Sequence, residues 1–243
     1  MLAPDCLNCG GKPAASARFC EACGQSTTLP PLTIKQGLLY LGASLLSAEA
    51  ALPRTALGLL RSPGQVAEQW IRGRRRQLAG PLAVALVVGV IAALIQEPLA
   101  ALRSEHLPAG RADYTVGLTA RSGNLALTLT SIALPVGLLT APIAARLAQQ
   151  RPSLEWAVLA VYCYVTGAAL QLAVLAAGAV SPSLATWEPL RWIEFALPIA
   201  VLLWGAAGFG GEGRGRRVLA AGLGQTAFLA TVIALVALAG PSG

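Results

Sequence analysis

Four cysteines, set out as Cys6-Leu-Asn-Cys9 and Cys20-Glu-Ala-Cys23, are the residues of this chain best equipped for chemistry. A two-residue gap lets both sulfurs of one pair turn toward the same ion. Two such pairs make the tetrahedral all-thiolate set that a structural zinc site favours. Each pair is followed by a glycine, Gly10 or Gly24, which can take the positive-φ turn that aims backbone N–H groups at the sulfurs. The residues between the pairs are too few and too polar to bury a core. One Zn2+ is therefore expected to hold residues 1–28 together, and in peptides of this kind it contributes about 10–16 kcal/mol. Four thiolates leave no open coordination position, so the expected ion is structural and not catalytic.

Two other chemistries fit the cysteines less well. Disulfides need an oxidising compartment, and the opening Met-Leu-Ala-Pro-Asp has neither the basic nor the apolar region of a secretory signal. A redox dithiol normally opens a helix in a βαβ setting, and no such pattern surrounds these pairs. Nucleic acid is not an expected partner. Lys12 and Arg18 only balance Asp5 and Glu21, and a zinc tetrathiolate adds about −2. A cytoplasmic protein contacted through the ribbon is the better fit, with Leu7 and Phe19 forming the ribbon's small apolar core.

The elements that carry this module are hydrophobic. The chain has 243 residues, of which 55% are hydrophobic and 12% charged, far from the balance of a soluble domain. Five stretches are long and apolar enough to cross about 30 Å of hydrocarbon: 81–102, 123–145, 156–180, 192–209 and 218–239. The predicted architecture is an all-α polytopic membrane protein, residues 81–243 forming the bundle. With the N-terminus in the cytoplasm, nine arginines flank the inner ends (Arg72, Arg74, Arg75, Arg76, Arg146, Arg151, Arg214, Arg216, Arg217) against four outside (Arg103, Arg111, Arg121, Arg191). An odd number of spans sends the C-terminus out, and the compartment implied is the bacterial inner membrane. The formal charge of +7 then answers to anionic headgroups more economically than to nucleic acid. A homo-oligomer is compatible with the same reading.

Residues 29–80 read as an interfacial neck. Leu38, Leu41, Leu45 and Leu52 recur at helical spacing, so 32–52 is expected to lie on the membrane, with a sixth crossing as the alternative. Ser62-Pro63-Gly64-Gln65 reads as an N-cap, a first-turn proline and a capping-box partner. The helix 66–72 that follows has a candidate Glu68–Arg72 pair, and Gly73 ends it. Trp70 with Arg72, Arg74, Arg75 and Arg76 is expected to lie along the headgroups.

The order C-x2-C-G, Phe-Cys-x2-Cys-Gly-Gln, Thr55-x3-Leu59-x3-Pro63-Gly64 and Gly73-Arg74-Arg75 before a span resembles a bacterial group of zinc-ribbon multi-pass membrane proteins. That group is catalogued only as a domain of unknown function. The resemblance covers roughly 6–95 and implies zinc, membrane and topology, with no activity. Where the group places an aromatic after the basic run, this chain has Gln77-Leu78. A weaker architectural likeness is to five-span membrane proteins that interact with Rab-type GTPases.

Other motifs carry less. Gly208-Phe-Gly210-Gly-Glu-Gly213 spells a dinucleotide fingerprint but links two spans, so a flexible cytoplasmic loop is expected. His106 is the lone histidine and reads as a solvated loop residue; Cys163 reads as a small packing residue inside a span. Glu97 and Glu194 map near the outer surface, while Gln171 and Gln225 lie deeper as interhelical hydrogen-bonding groups. Gly167, Gly178, Gly205, Gly208, Gly222 and Gly224 let helices approach closely, and Pro135, Pro142 and Pro198 are candidate kinks. No catalytic motif emerges. The sequence points to a non-enzymatic scaffold or regulatory protein. The alternatives are a small-solute transporter using Gln171, Gln225 and Glu194, and a membrane enzyme with an unrecognised site.

Overall fold

A computed structural model describes residues 5–29, 33, 51–107, 153–210 and a few helical positions between 215 and 222. Helix α1 covers the described residues 51–61; α2 is Pro63–Ile71, α3 is Pro81–Ser104, α4 is Ser153–Val180, α5 is Pro182–Thr186 and α6 is Pro189–Gly208. Among the described residues there is no strand beyond one isolated bridge, Phe19 with Ser26.

α2 starts and stops where its sequence says. Ser62 is the N-cap in extended backbone and Pro63 occupies the first turn. The expected capping box does not form: Ser62 makes no side-chain cap bond, its hydroxyl faces Gly208, and Gln65 is exposed. At the other end Gly73 has φ 108°, and the N–H groups of Gly73 and Arg74 reach back to the carbonyls of Trp70 and Gln69 at 3.1 and 3.0 Å. That pair of bonds is the Schellman stop, which needs a left-handed residue at the turn.

α2 turns one face into the protein and leaves Gln65 exposed on the other. Pro63, Gly64, Val66, Ala67, Glu68 and Trp70 are all buried, against α4 and α6. The reason is Gly64: a Cβ there would strike the backbone of Gly205 and Phe209, so only a glycine lets α2 cross the end of α6 this closely. The same approach places Gly208 and Gly210 beside Ser62 and Glu68, so the described first half of this glycine pattern packs against α2, and residues 211–213 lie outside the described residues.

α4 is the central element, packed on α2, α3, α5 and α6. Against α6 its Gly167 meets Pro198, and its Cys163, wholly buried, meets Gly205, the close approach that small residues permit. Higher Pro189–Gly208 numbers meet lower α4 numbers, so the two helices are antiparallel. α3 and α4 are parallel: Ala79, just before α3, bonds Tyr162 near the start of α4, whereas Arg103 at the end of α3 packs on Gly178 at the end of α4.

α3 and residues 154–180 of α4 are long and apolar enough to cross a membrane. The predicted fourth span, 192–209, follows α6 to its C-cap Phe209, and the apolar part of that helix, Ala196–Gly208, is shorter than that test demands. The predicted second span, nearly all of the fifth, and most of the 32–52 segment lie outside the described residues. A count of five spans is therefore not carried by the structure.

Candidate metal centre

The two cysteine pairs form matching knuckles. In the first, Cys6 N–H donates to the Gly11 carbonyl at 2.7 Å and Gly10 N–H to the Cys6 carbonyl at 2.8 Å. In the second, Cys20 N–H donates to Gln25 at 2.8 Å and Gly24 N–H to Cys20 at 2.7 Å. Gly10 and Gly24 have φ of 74° and 69°, the left-handed turns their positions require. The Gly11 N–H also points at the Cys9 sulfur, 3.4 Å away.

All four sulfurs lie within 4.8 Å of one another. Cys6 and Cys23 sulfurs are 3.7 Å apart, as are those of Cys9 and Cys20. Four sulfurs each about 2.3 Å from one ion in a tetrahedron stand roughly 3.8 Å apart, so the spacing fits a shared metal. A disulfide would bring a pair to about 2.05 Å, and all four thiols are free. The donors also divide electrostatically. A backbone hydrogen bond at Cys9, with others from Asn8 and the neighbouring thiols, outweighs burial and brings Cys6 down to about 7. The Gly11 N–H pulls Cys9 down, yet the sulfurs of Cys23, Cys20 and Cys6 together with burial push it up to about 12. The cluster thus holds protons that a metal ion would displace.

The expected apolar core of the module is not there. Leu7 is 60% exposed and Phe19 is 61% exposed. The side chains buried in their place are polar, Asn8 and Gln25, at 3% and 5% exposure. Both turn outward from their knuckles to the turn between α2 and α3. Gln25 donates to the Gly73 carbonyl at 2.7 Å and accepts from the Arg75 N–H at 3.2 Å. The Asn8 oxygen accepts from the N–H groups of Arg76 and Gln77 at 3.3 and 3.1 Å. Composition alone gave no sign of this docking; the amides sitting inside or just after the knuckles were the available clue.

Each predicted interface residue has a definite place. Trp70 is 6% exposed and belongs to the helical core, so its indole is covered by protein and not turned outward. The Arg75 guanidinium carbon sits 5.2 Å from the centre of that ring, a cation–π contact. Arg72 pairs with Glu68 at 2.6 Å, as the i,i+4 spacing predicts, and Arg72, Arg74 and Arg76 are exposed.

The comparisons with known proteins bear on this corner. Residues 49–93 match the model of a family described as "Protein of unknown function (DUF3667)". No curated protein and no solved structure matches the chain. The matched stretch holds α1, α2, the arginine turn and the first half of α3, while the cysteines lie before it. Inside it, Thr55 is wholly buried and donates to the Ala51 carbonyl at 2.7 Å while accepting from the Ala79 N–H at 2.9 Å. The Tyr162 hydroxyl donates to the Ala79 carbonyl at 2.6 Å. Both polar groups of Ala79 are thereby satisfied by side chains from α1 and α4, which pins the entry to α3.

At the opposite end, His106 is not simply solvated: its Nε2 lies 3.1 Å from the carbonyl of Ala179, which it can bond only as a donor. Gln171 is half-buried on α4, Glu97 is exposed on α3, and Glu194 and Gln225 have no described side chains.

Proposed function

We propose that this chain is an integral membrane protein whose N-terminal cysteine module binds one structural Zn2+ on the cytoplasmic side, and that it works as a non-enzymatic scaffold or regulator. The observation that carries this reading is the four-sulfur cluster seated on the arginine turn that leads directly into an apolar helix. An all-sulfur tetrahedral donor set favours Zn2+ over hard cations, which prefer oxygen. Membrane insertion is supported by α3, which leaves Leu86, Val90, Ile91, Leu94 and Ile95 exposed. A soluble core helix of that composition would be mostly buried, whereas 28% of its most apolar window is.

Connectivity supports the topology. α3 and α4 run in the same direction, so the chain leaves one end of the bundle and re-enters at the other. A crossing by the uncharged stretch 123–145 would make that return. α6 then comes back to the ribbon end. The arginines at 72–76 fall at that end, as does Arg217, which bonds the Ala206 carbonyl at 3.3 Å, and the positive-inside rule assigns an arginine-rich end to the cytoplasm. Exposed Arg72, Arg74 and Arg76 suit anionic headgroups. Exposed Leu7 and Phe19 give the module an apolar face for a cytoplasmic protein.

Elemental analysis of the purified protein tests the metal, with one zinc per chain expected and none refuting it. Phosphatase fused to the C-terminus tests the topology, and activity outside is expected for five spans. A photo-crosslinker at Phe19 tests the scaffold role. It should trap one cytoplasmic protein, and loss of the adduct in a Cys6→Ser protein would tie the contact to the folded module.

A further inference from the structure

The arginine turn, 73–77, is anchored by side chains that belong to the cysteine knuckles. One amide comes from each knuckle: Asn8 lies between Cys6 and Cys9, and Gln25 closes the second knuckle through its own carbonyl. Between them they accept from the N–H groups of Arg75, Arg76 and Gln77 and donate to the carbonyl of Gly73. These groups belong to the turn and to neither helix; among them only the Arg75 N–H has a backbone acceptor as well, the Gly73 carbonyl at 2.8 Å. Beyond the knuckles the module has little to hold its shape, since its large apolar side chains, Leu7 and Phe19, are exposed. Within the module the sulfurs are the main tie between the knuckles, Cys6 standing against Cys23 and Cys9 against Cys20.

We propose that metal at the four cysteines acts as a lock on the α2–α3 corner: with the ion bound, Asn8 and Gln25 clamp the arginine turn, and loss of the ion frees it. This rests on the metal reading above. The consequence reaches the bundle, because Arg75 sits over Trp70, which is buried with α2 against α4 and α6. Release of the turn would free Arg74, Arg75 and Arg76 to take new partners. Metal occupancy would then set how this basic corner is presented. The chemistry recognised is a thiophilic divalent cation, and the device that reads it is two uncharged amides.

Hydrogen exchange on the full-length protein in detergent micelles tests the lock, with metal content measured on every sample. In zinc-loaded wild type the amides of Arg76 and Gln77, which the Asn8 oxygen accepts from, are expected to exchange slowly. Stripping the metal with a chelator should speed them roughly tenfold or more, as should N8A/Q25A with its zinc still bound. Asn8→Asp, which keeps the accepting oxygen, should retain protection at Arg76 and Gln77. Amides around Tyr162 in α4 should stay protected in every variant, which excludes general unfolding. Equal exchange in loaded and stripped protein, or full protection in metal-bearing N8A/Q25A, would overturn the lock while leaving the zinc site intact. Wild type that binds no zinc would overturn the lock together with the metal reading, and elemental analysis shows that first.

Discussion

Gln25 and Gly73 stand 48 residues apart, yet the Gln25 side-chain nitrogen donates to the Gly73 carbonyl at 2.7 Å in a buried contact. The same side chain accepts from Arg75 two residues further on. Gly73 takes positive φ to end α2, and its carbonyl then accepts from both the Gln25 side chain and the Arg75 N–H. A carboxamide is the side chain suited to such a turn, because it donates and accepts at once without adding charge beside three arginines. The cysteine module and the α2–α3 corner become one continuous piece through this contact.

Loss of one ligand should release the ion. Cys20→Ser replaces a buried thiolate donor with a hydroxyl that stays protonated. Zinc content measured by mass spectrometry should fall from one per chain to near zero, with the helical circular-dichroism signal retained. Unchanged zinc content would refute four-sulfur coordination.

Metal uptake should depend on pH in a definite direction. Cys9 is pushed up to about 12 without a metal, so it carries a proton at neutral pH, while Cys6, near 7, is partly ionised. Zinc binds thiolates, so loading at pH 7.5 must expel protons and its affinity must fall as pH falls. Calorimetry in two buffers of different ionisation enthalpy should show an apparent enthalpy that differs between them. Identical enthalpies would show that no proton leaves.

Ala79 should report on the polar tie between α1 and α4. Tyr162→Phe removes the hydroxyl that serves the Ala79 carbonyl, and Thr55→Val removes the acceptor of its N–H. Each leaves a buried backbone group without a partner and should cost about 1–3 kcal/mol. Thermal melts in detergent check this. Wild-type melting in both variants would mean that neither hydroxyl matters to the α3 entry.

The α4–α6 contact should show pairwise coupling. A Cβ at Gly205 would strike the Cys163 sulfur, whereas the next atoms, on Leu159 and Pro63, stand at an ordinary 3.5 Å. Gly205→Ala alone should destabilise by about 1–3 kcal/mol, and C163A/G205A should recover part of that loss. Additive losses in the melts would place the strain elsewhere. Gly64→Ala should be the harsher change, since its clash is with backbone and no side chain can yield.

Local chemistry was legible along the chain, and distant pairing was not. Two-residue cysteine spacing with a following glycine specifies a knuckle, Ser62-Pro63 and Gly73 bound α2, and long apolar runs specify α3 and α4, because each of these depends on neighbours a few residues away. An indole on one face of a short helix with an arginine run at its end reads as a headgroup-facing helix. Amphipathicity states that a face must be covered and leaves open whether lipid or protein covers it. The tertiary structure decided that Gly64 meets Gly205, that Trp70 goes inward, and that Asn8 and Gln25 hold the arginine turn. Those choices follow from hydrogen bonds and steric fits between segments tens of residues apart, and no periodicity in a sequence records which distant surface will supply the missing partner.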